Sequence, residues 1–346
     1  MTYVSGGLES NIIRAQITAL NGAKHLVERL TMNDDPSICM YAARAIANLA
    51  YNHSLNQGRI MSEGGDSALV RQLGLFPDND LVKAGIMTAL ANLAHTEVNQ
   101  MSIGYSEALP LLVQYTVQST CPELLFACTN AMASLMYAHL PNKNRFALQR
   151  APEALLYLIS EPERFHHDVH VLASACRALC TFALTEGNWR LVRQHDGSYP
   201  LVQLCQTTHD DQLLRASAQA IAALVPSEGR KYELLQEGLG VPVEADGGIK
   251  ALERCSFTAF TERGLEVPKW LTNALRIMKT PMHELKQNMH LDWYGETSAV
   301  HTRGEGLTRT ELFDRTELSV EYRVEIEPDP LCHHFFTTAV VQGNRK

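Results

Sequence analysis

One helix recurs along this chain, and its spacing limits what the chain can fold into. The clearest copy is residues 36–51, PSICMYAARAIANLAY. Ala45, Ile46, Asn48, Leu49 and Ala50 return as Ala89, Leu90, Asn92, Leu93 and Ala94. Looser copies are Ala131, Met132, Leu135 and Met136, then Ala178, Leu179, Phe182 and Ala183, then Ala220, Ile221, Leu224 and Val225. A sixth copy is Ala274, Leu275 and Met278. The alanines lie 44, 42, 47, 42 and 54 residues apart. Apolar positions at helical spacing, repeated with a period in the forties, mark stacked-repeat architectures. Such arrays grow in one dimension, so a length of 346 residues does not imply two or three separate cores.

Two more helices fit between successive copies. Residues 9–20 carry an apolar stripe that ends at Asn21-Gly22, and residues 23–30 carry a second. Asp35-Pro36 then starts the long helix, with Asp35 as N-cap and Pro36 in the first turn. Asparagines 11, 56, 99, 144 and 188 head the first helices, at intervals of 45, 43, 45 and 44 residues. This second register agrees with that of the alanines. The small Ala45, Ala89, Ala131, Ala178 and Ala220 let neighbouring helices approach. Leu49, Leu93, Leu135, Phe182 and Leu224 fill the space between units. Each such burial contributes roughly 1.5–3 kcal/mol. One unit alone cannot offset its ordering entropy, whereas several stacked units can.

The three-helix unit, the Gly or Pro break between its first two helices, and the A-ϕ-x-N-L-A run closing its third resemble the armadillo repeat. The stretches ARAIANLAYNHSLNQGRIMSEGG and MTALANLAHTEVNQMSI look like that family's consensus. HEAT repeats use two helices per unit and leave the Asn-led helix unaccounted for. The resemblance covers residues 9–226 closely and 227–279 loosely. It implies an all-α, right-handed α-solenoid of five to six armadillo-like repeats. The expected organisation is repeats one to five over 1–226, a degenerate capping repeat over 227–279, and a non-repeat docking tail over 280–346. In the tail, Val320, Tyr322, Val324 and Ile326 alternate with charged residues, and Phe335 opens a second apolar run. A β-hairpin is therefore expected over 318–341.

In an armadillo stack the third helices line a concave groove. The resemblance places Arg44, Thr88, Asn130, Arg177 and Gln219 there, with Asn48 and Asn92 four residues after Arg44 and Thr88. Family members that carry nuclear import signals use a Trp–Asn ladder at these two places. Asn48 and Asn92 match it, but Arg44 and Thr88 stand where tryptophan would, so an import role is not expected. The competing reading is that these asparagines bond backbone carbonyls between units.

Other candidate chemistry reads as structure. His166, His167 and His170, with Asp168 between, have metal-like spacing, since positions 166 and 170 share a helix face, but a non-ligand role is the expected one. His53, His95 and His139 close three third helices, where the helix dipole accounts for a histidine. Cys332-His333-His334 is too compact for zinc. Cys176 and Cys180 sit one turn apart on an apolar face. No nucleotide-binding, zinc-protease or serine-hydrolase motif occurs. We therefore expect no enzyme activity, no cofactor and no metal.

A net charge of −8 and a pI near 6.0 argue against nucleic acid as the partner. Eight scattered cysteines fit a reducing compartment. No apolar run is long enough to span a membrane, and the first residues lack a secretory or transit profile. The expected setting is intracellular, with the cytoplasm favoured and a mitochondrial or ciliary complex also fitting. The expected function is a non-catalytic protein–protein interaction scaffold, a structural subunit of a larger multiprotein assembly. The alternative is an adaptor that binds an extended peptide in the groove. Partners are other protein subunits, and no small-molecule ligand is expected.

Overall fold

The computed structural model describes residues 8–32, 35–161, 168–236, 238 and 240–285. The described residues divide into two compact bodies, one up to Phe182 and one from Ala183 onward. In the first body helices come in triplets: α1 (Leu8–Ala19), α2 (Gly22–Met32) and α3 (Pro36–Ala50); α4 (Ser54–Ser62), α5 (Gly65–Leu75) and α6 (Asp80–Leu93); α7 (Glu97–Gly104), α8 (Ala108–Gln118) and α9 (Pro122–Met136); α10 (Leu140–Leu148), α11 (Ala151–Ser160) and α12 (Val169–Ala183).

Capping residues fix where the long helices begin. Asp35 Oδ1 accepts the Ser37 and Ile38 N–H groups at 2.7 and 3.3 Å, with Pro36 in the first turn. Asn79 does the same for α6 through the Val82 N–H at 3.1 Å. The short first helices are capped differently. His53 and His139 accept the N–H of Asn56 and Asn142 through Nδ1, at 3.3 and 3.2 Å. This corrects the expectation that these histidines complement helix C-termini. They act as hydrogen-bond acceptors at helix N-termini.

The core follows the repeat. Ala89, Ala131, Ala178, Leu93 and Leu135 are fully buried. Between Val82 and Ala94 only Thr88 escapes burial, because α6 packs against both α3 and α9. An apolar stripe running all round a helix is what burial on every side requires. Gly85 lies against α3, where an added Cβ would be 3.6 Å from the Met40 carbonyl oxygen and 3.8 Å from Ala43 Cβ.

Successive triplets are joined by buried amides. Asn56 Nδ2 donates to Leu49 O at 2.9 Å, Asn99 Nδ2 to Leu93 O at 2.8 Å, and Asn142 Nδ2 to Leu135 O at 3.0 Å. Each seals the carbonyl end of the preceding third helix, whose last carbonyls lack partners within the helix. Asn142 also donates to Gln100 O at 2.8 Å, and Asn56 to Arg14 O at 3.4 Å. The buried asparagine of the fourth triplet is thus Asn142, not Asn144, which is exposed. The register of the buried amides is 56, 99, 142 and 188.

A second set of donors reaches the same helix ends from the opposite direction. Arg14 Nη1 donates to Tyr51 O at 2.6 Å. Gln100 Nε2 donates to Ser134 O and Tyr137 O at 2.8 and 2.9 Å.

The second body holds α13 (Glu186–Gln194), α14 (Ser198–Thr207) and α15 (Asp211–Ala223), then α16 (Glu228–Gln236), the one-turn α17 (Pro242–Ala245), α18 (Gly248–Cys255) and α19 (Lys269–Lys279). Residues 248–263 do not form one continuous α-helix. α18 passes into a π-helical turn, Ser256–Phe260, and a 3-10 turn, Thr261–Arg263. Buried Arg215 holds this irregular turn, donating from Nη2 to Ala259 O at 3.1 Å and lying 4.7 Å over the Phe260 ring. The second donor set continues here. Trp189 Nε1 donates to Leu224 O at 2.5 Å, and Lys231 Nζ donates to Ile277 O and Met278 O at 2.8 and 2.6 Å.

Among the described residues there is no strand. The hairpin expected over 318–341, with Val320, Tyr322, Val324, Ile326 and Phe335, lies outside the described residues, as do His166, His167 and Cys332-His333-His334.

Candidate functional site

The third helices place the expected groove residues in two different environments. In the first body Arg44 and Thr88 are exposed and Arg177 is half-buried, while Asn130 is buried. Asn130 Oδ1 accepts from Ser174 Oγ at 2.8 Å, and Thr129 Oγ1 donates to Ser174 Oγ at 2.7 Å, joining α9 to α12. The pair Asn48 and Asn92 also divides. Asn92 is buried and donates to Ala47 O at 3.0 Å, tying α6 to α3, whereas Asn48 is exposed. Asn92 therefore follows the backbone-bonding reading. In the second body Gln219 is half-buried on α15.

Sequence reasoning overlooked part of this outer row. Ser37, Leu81, Glu123 and His170 each lie seven residues before Arg44, Thr88, Asn130 and Arg177, and all four are exposed. Two helical turns separate such positions, so they share a face. Their intervals of 44, 42 and 47 repeat those of the alanines, and reading the same period one step earlier in the helix finds them. The row offers positive charge at Arg44 and Arg177, negative charge at Glu123 and apolar surface at Leu81. These groups stand on four different helices, an arrangement suited to contacting an extended surface.

The remaining polar clusters are occupied by one another. A depression of about 570 Å³ lies where the ends of α5 and α8 meet the start of α6. Its floor holds Lys83, 6% exposed, paired to Asp80 at 2.8 Å and 4.7 Å over the Tyr115 ring. Ser119 Oγ donates to Asp80 Oδ2 at 2.9 Å. Burial pushes the Asp80 carboxyl up, but hydrogen bonds from Lys83 and Ser119 and the Lys83 charge outweigh it and hold Asp80 below its ordinary value. Asp168 caps α12, accepting the His170 and Val171 N–H groups at 2.9 and 3.1 Å. Burial drives the Cys180 thiol up to about 12, which suits a core residue and not a nucleophile. Among the described residues no three potential metal ligands come together, and no helix is long and apolar enough to cross a membrane.

No protein-family model matches the chain, and no curated protein sequence does. Solved structures do. An engineered protein aligns with a TM-score of 0.63 at 21% identity, over 75% of this chain and 99% of its own. A designed armadillo repeat protein aligns with a TM-score of 0.62 at 18% identity, over 74% of this chain and 99% of its own. A second designed armadillo repeat protein, solved in complex with the peptide (KR)4, aligns with a TM-score of 0.61 at 18% identity, over 74% and 99% respectively. Identities this low speak to fold alone. With the helical triplets, the period in the forties and the amide-sealed joints, they establish that this chain is an α-solenoid with the armadillo-like repeat fold.

Proposed function

We propose that this chain is a non-catalytic scaffold that binds protein, serving as a structural subunit of a larger assembly. One observation carries the reading. Among the described residues the Lys83–Asp80–Ser119 cluster, Asp168 and the joint asparagines Asn56, Asn99 and Asn142 bond within the fold, while the row of Ser37, Arg44, Leu81, Thr88, Glu123 and His170 stays exposed along successive third helices. A net charge of −8 disfavours nucleic acid. The alternating sequence Val320, Tyr322, Val324, Ile326 with Phe335 offers a further docking segment. Affinity purification of the full chain tests this reading, with other chains expected to co-purify in fixed stoichiometry. Recovery of the chain by itself would overturn it.

A second reading, an adaptor for an extended peptide, rests on the charge of the same row. The designed neighbour is in complex with a peptide of alternating Lys and Arg. Here Arg44 and Arg177 would repel such a ligand, so the peptide class is acidic. Anisotropy titration of an acidic, leucine-containing peptide should show binding that Arg44→Glu with Arg177→Glu weakens at least ~10-fold, a change of about 1.4 kcal/mol. Equal affinity for both proteins rules the groove out.

A further inference from the structure

The first helices of the first body share an outward face that carries no charge. On α7 it consists of Val98 and Met101, with Tyr105 just past the helix end, spaced i, i+3, i+7 and so on one side. The same places hold Pro141, Asn144 and Leu148 on α10. They hold Leu55, Gly58 and Ser62 on α4, and Ile12, Ala15 and Ala19 on α1, each step between triplets being 43 residues. All of these positions are exposed. The joints confirm the register. Asn56 donates to Arg14 O and Asn142 to Gln100 O, so α4 lies beside α1 and α10 beside α7 at equivalent residues. Arg145, 3.0 Å over the Tyr105 ring, borders the face where α10 meets the end of α7.

Contact with water does not call for such a face. The exposed positions of α2 include Lys24, His25 and Arg29, and α13, the first helix of the second body, places Arg190 where α10 has Asn144. Nor does the fold use these residues. The core side of the same helices is supplied by Ile60, Ile103 and Phe146, which are fully buried five residues after Leu55, Val98 and Pro141. On the outward side Ile12, Leu55, Val98, Met101, Tyr105 and Leu148 are 44–82% exposed. At about 150–200 Å² for each such residue fully exposed, they present roughly 600–800 Å² of apolar surface. That exceeds the largest patch of a typical monomer, about 300–600 Å². It lies within the roughly 600–1,000 Å² that each partner contributes to a specific interface. The geometry of the face selects its occupant. A charged segment would be desolvated here without a counter-charge. A strand would find no ladder, since helices spend their backbone groups internally and no strand occurs among the described residues. Packed helices lie about 8–10 Å apart. A helix laid across them turns the same side down every two turns, about seven residues or 10.5 Å. One of about 20 residues, apolar at heptad spacing, therefore meets one stripe per two turns from α1 to α10.

We propose that the face formed by α1, α4, α7 and α10 docks an amphipathic helix of a partner protein, on different helices from the exposed third-helix row. This rests on the scaffold reading and names the chemistry of one partner. The probe is a fluorescein-labelled synthetic helix of about 20 residues, with leucine at the first and fourth place of each heptad and Glu and Lys elsewhere. Anisotropy titration with the full chain should show saturable binding. Val98→Glu with Tyr105→Glu should weaken it at least ~10-fold with an unchanged far-UV circular dichroism spectrum, because both side chains are exposed. Leu55→Gln with Leu148→Gln, which suits a helix, decides the matter if the first pair loses helicity. Arg71→Glu, an exposed change on α5, should leave the affinity as it is. A peptide of the same composition with its leucines scrambled should bind at least ~10-fold more weakly. Absence of saturable binding overturns the proposal, as it would if another part of the chain already covers the face. So does equal affinity for the scrambled peptide or for the folded double variants. Affinity purification separates the two readings. Val98→Glu with Tyr105→Glu should lose a chain that the wild type recovers. If both recover the same chains, the scaffold reading stands and this face is excluded.

Discussion

Alanine at position 104 puts the joint chemistry to its most direct test. Gly104 is the last residue of α7, and a Cβ built on it would overlap the Asn142 side chain, contacting Oδ1 and lying 2.6 Å from Cγ and 2.8 Å from Nδ2. Asn142 is fully buried and donates to Gln100 O at 2.8 Å and Leu135 O at 3.0 Å. The added methyl group must expel this amide, since the α7 backbone beneath it is packed. Each lost bond contributes about 1 kcal/mol, and each carbonyl left buried without a partner costs about 1–3 kcal/mol. The helix-propensity gain of alanine over glycine offsets at most about 1 kcal/mol. Gly104→Ala should therefore destabilise the protein by about 2–4 kcal/mol in urea unfolding followed by circular dichroism. Asn142→Ala should cost a similar amount. In the Asn142→Ala background, however, Gly104→Ala should be neutral or slightly stabilising, because nothing remains to be displaced. The double-mutant cycle then shows a coupling near 2 kcal/mol or more. A Gly104→Ala cost below about 0.5 kcal/mol, or the same cost in both backgrounds, refutes the steric argument.

Other predictions follow from the packing and the caps. Leu93→Ala, at a fully buried site, should cost about 2–5 kcal/mol by leaving a cavity, and an unchanged melting temperature would disprove the register assigned to α6. Gly85→Ala should do the reverse, since its new Cβ finds only ordinary contacts of 3.6–3.8 Å; a gain of about 0.5–1 kcal/mol is expected from helix propensity, and a loss would mean α3 and α6 lie closer than described. His139, 2% exposed, is held below its ordinary value of 6.5, chiefly by burial and also by Arg145, against an opposing pull from Glu97. The unfolded chain then binds the proton more readily, so the contribution of His139 to stability is full above pH 6.5 and is lost as pH falls toward the lower folded value. His139→Asn, which keeps a capping acceptor but does not titrate, should flatten the stability profile in that window, and an unaltered profile would remove His139 as the cause.

The sequence displayed the fold well because the repeat imposes it. Ala89, Leu93 and their counterparts must recur wherever one helix packs on the next, so their period is written in residue type. The joints were only half visible. Asn142 and Asn144 are two residues apart and both are asparagine, and the spacing of the alanines does not choose between them. Burial does, because only Asn142 reaches a helix end. The second donor set was hidden for a different reason. Arg14, Gln100, Trp189 and Lys231 share no residue type; they share a position and an N–H group aimed at carbonyls. Of the residues expected in the groove, Arg44 and Thr88 are exposed, whereas Asn92 and Asn130 bond between helices. A polar residue on a helix face carries no mark in sequence that tells a joint from a binding contact.

The helix-end contacts also have an order in time. A chain leaving the ribosome makes Arg14 before Tyr51 and Gln100 before Tyr137, so one donor is waiting when each of these third helices ends. The other arrives almost at once. Asn56 follows Leu49, and Asn142 follows Leu135, by seven residues, less than two seconds of synthesis at about 5–20 residues per second. Each of these helices can thus be closed off soon after it emerges, before the next long helix exists. The design turns vectorial synthesis into a sequence of short, local steps, and limits how long an apolar helix stands uncovered beside the tunnel exit.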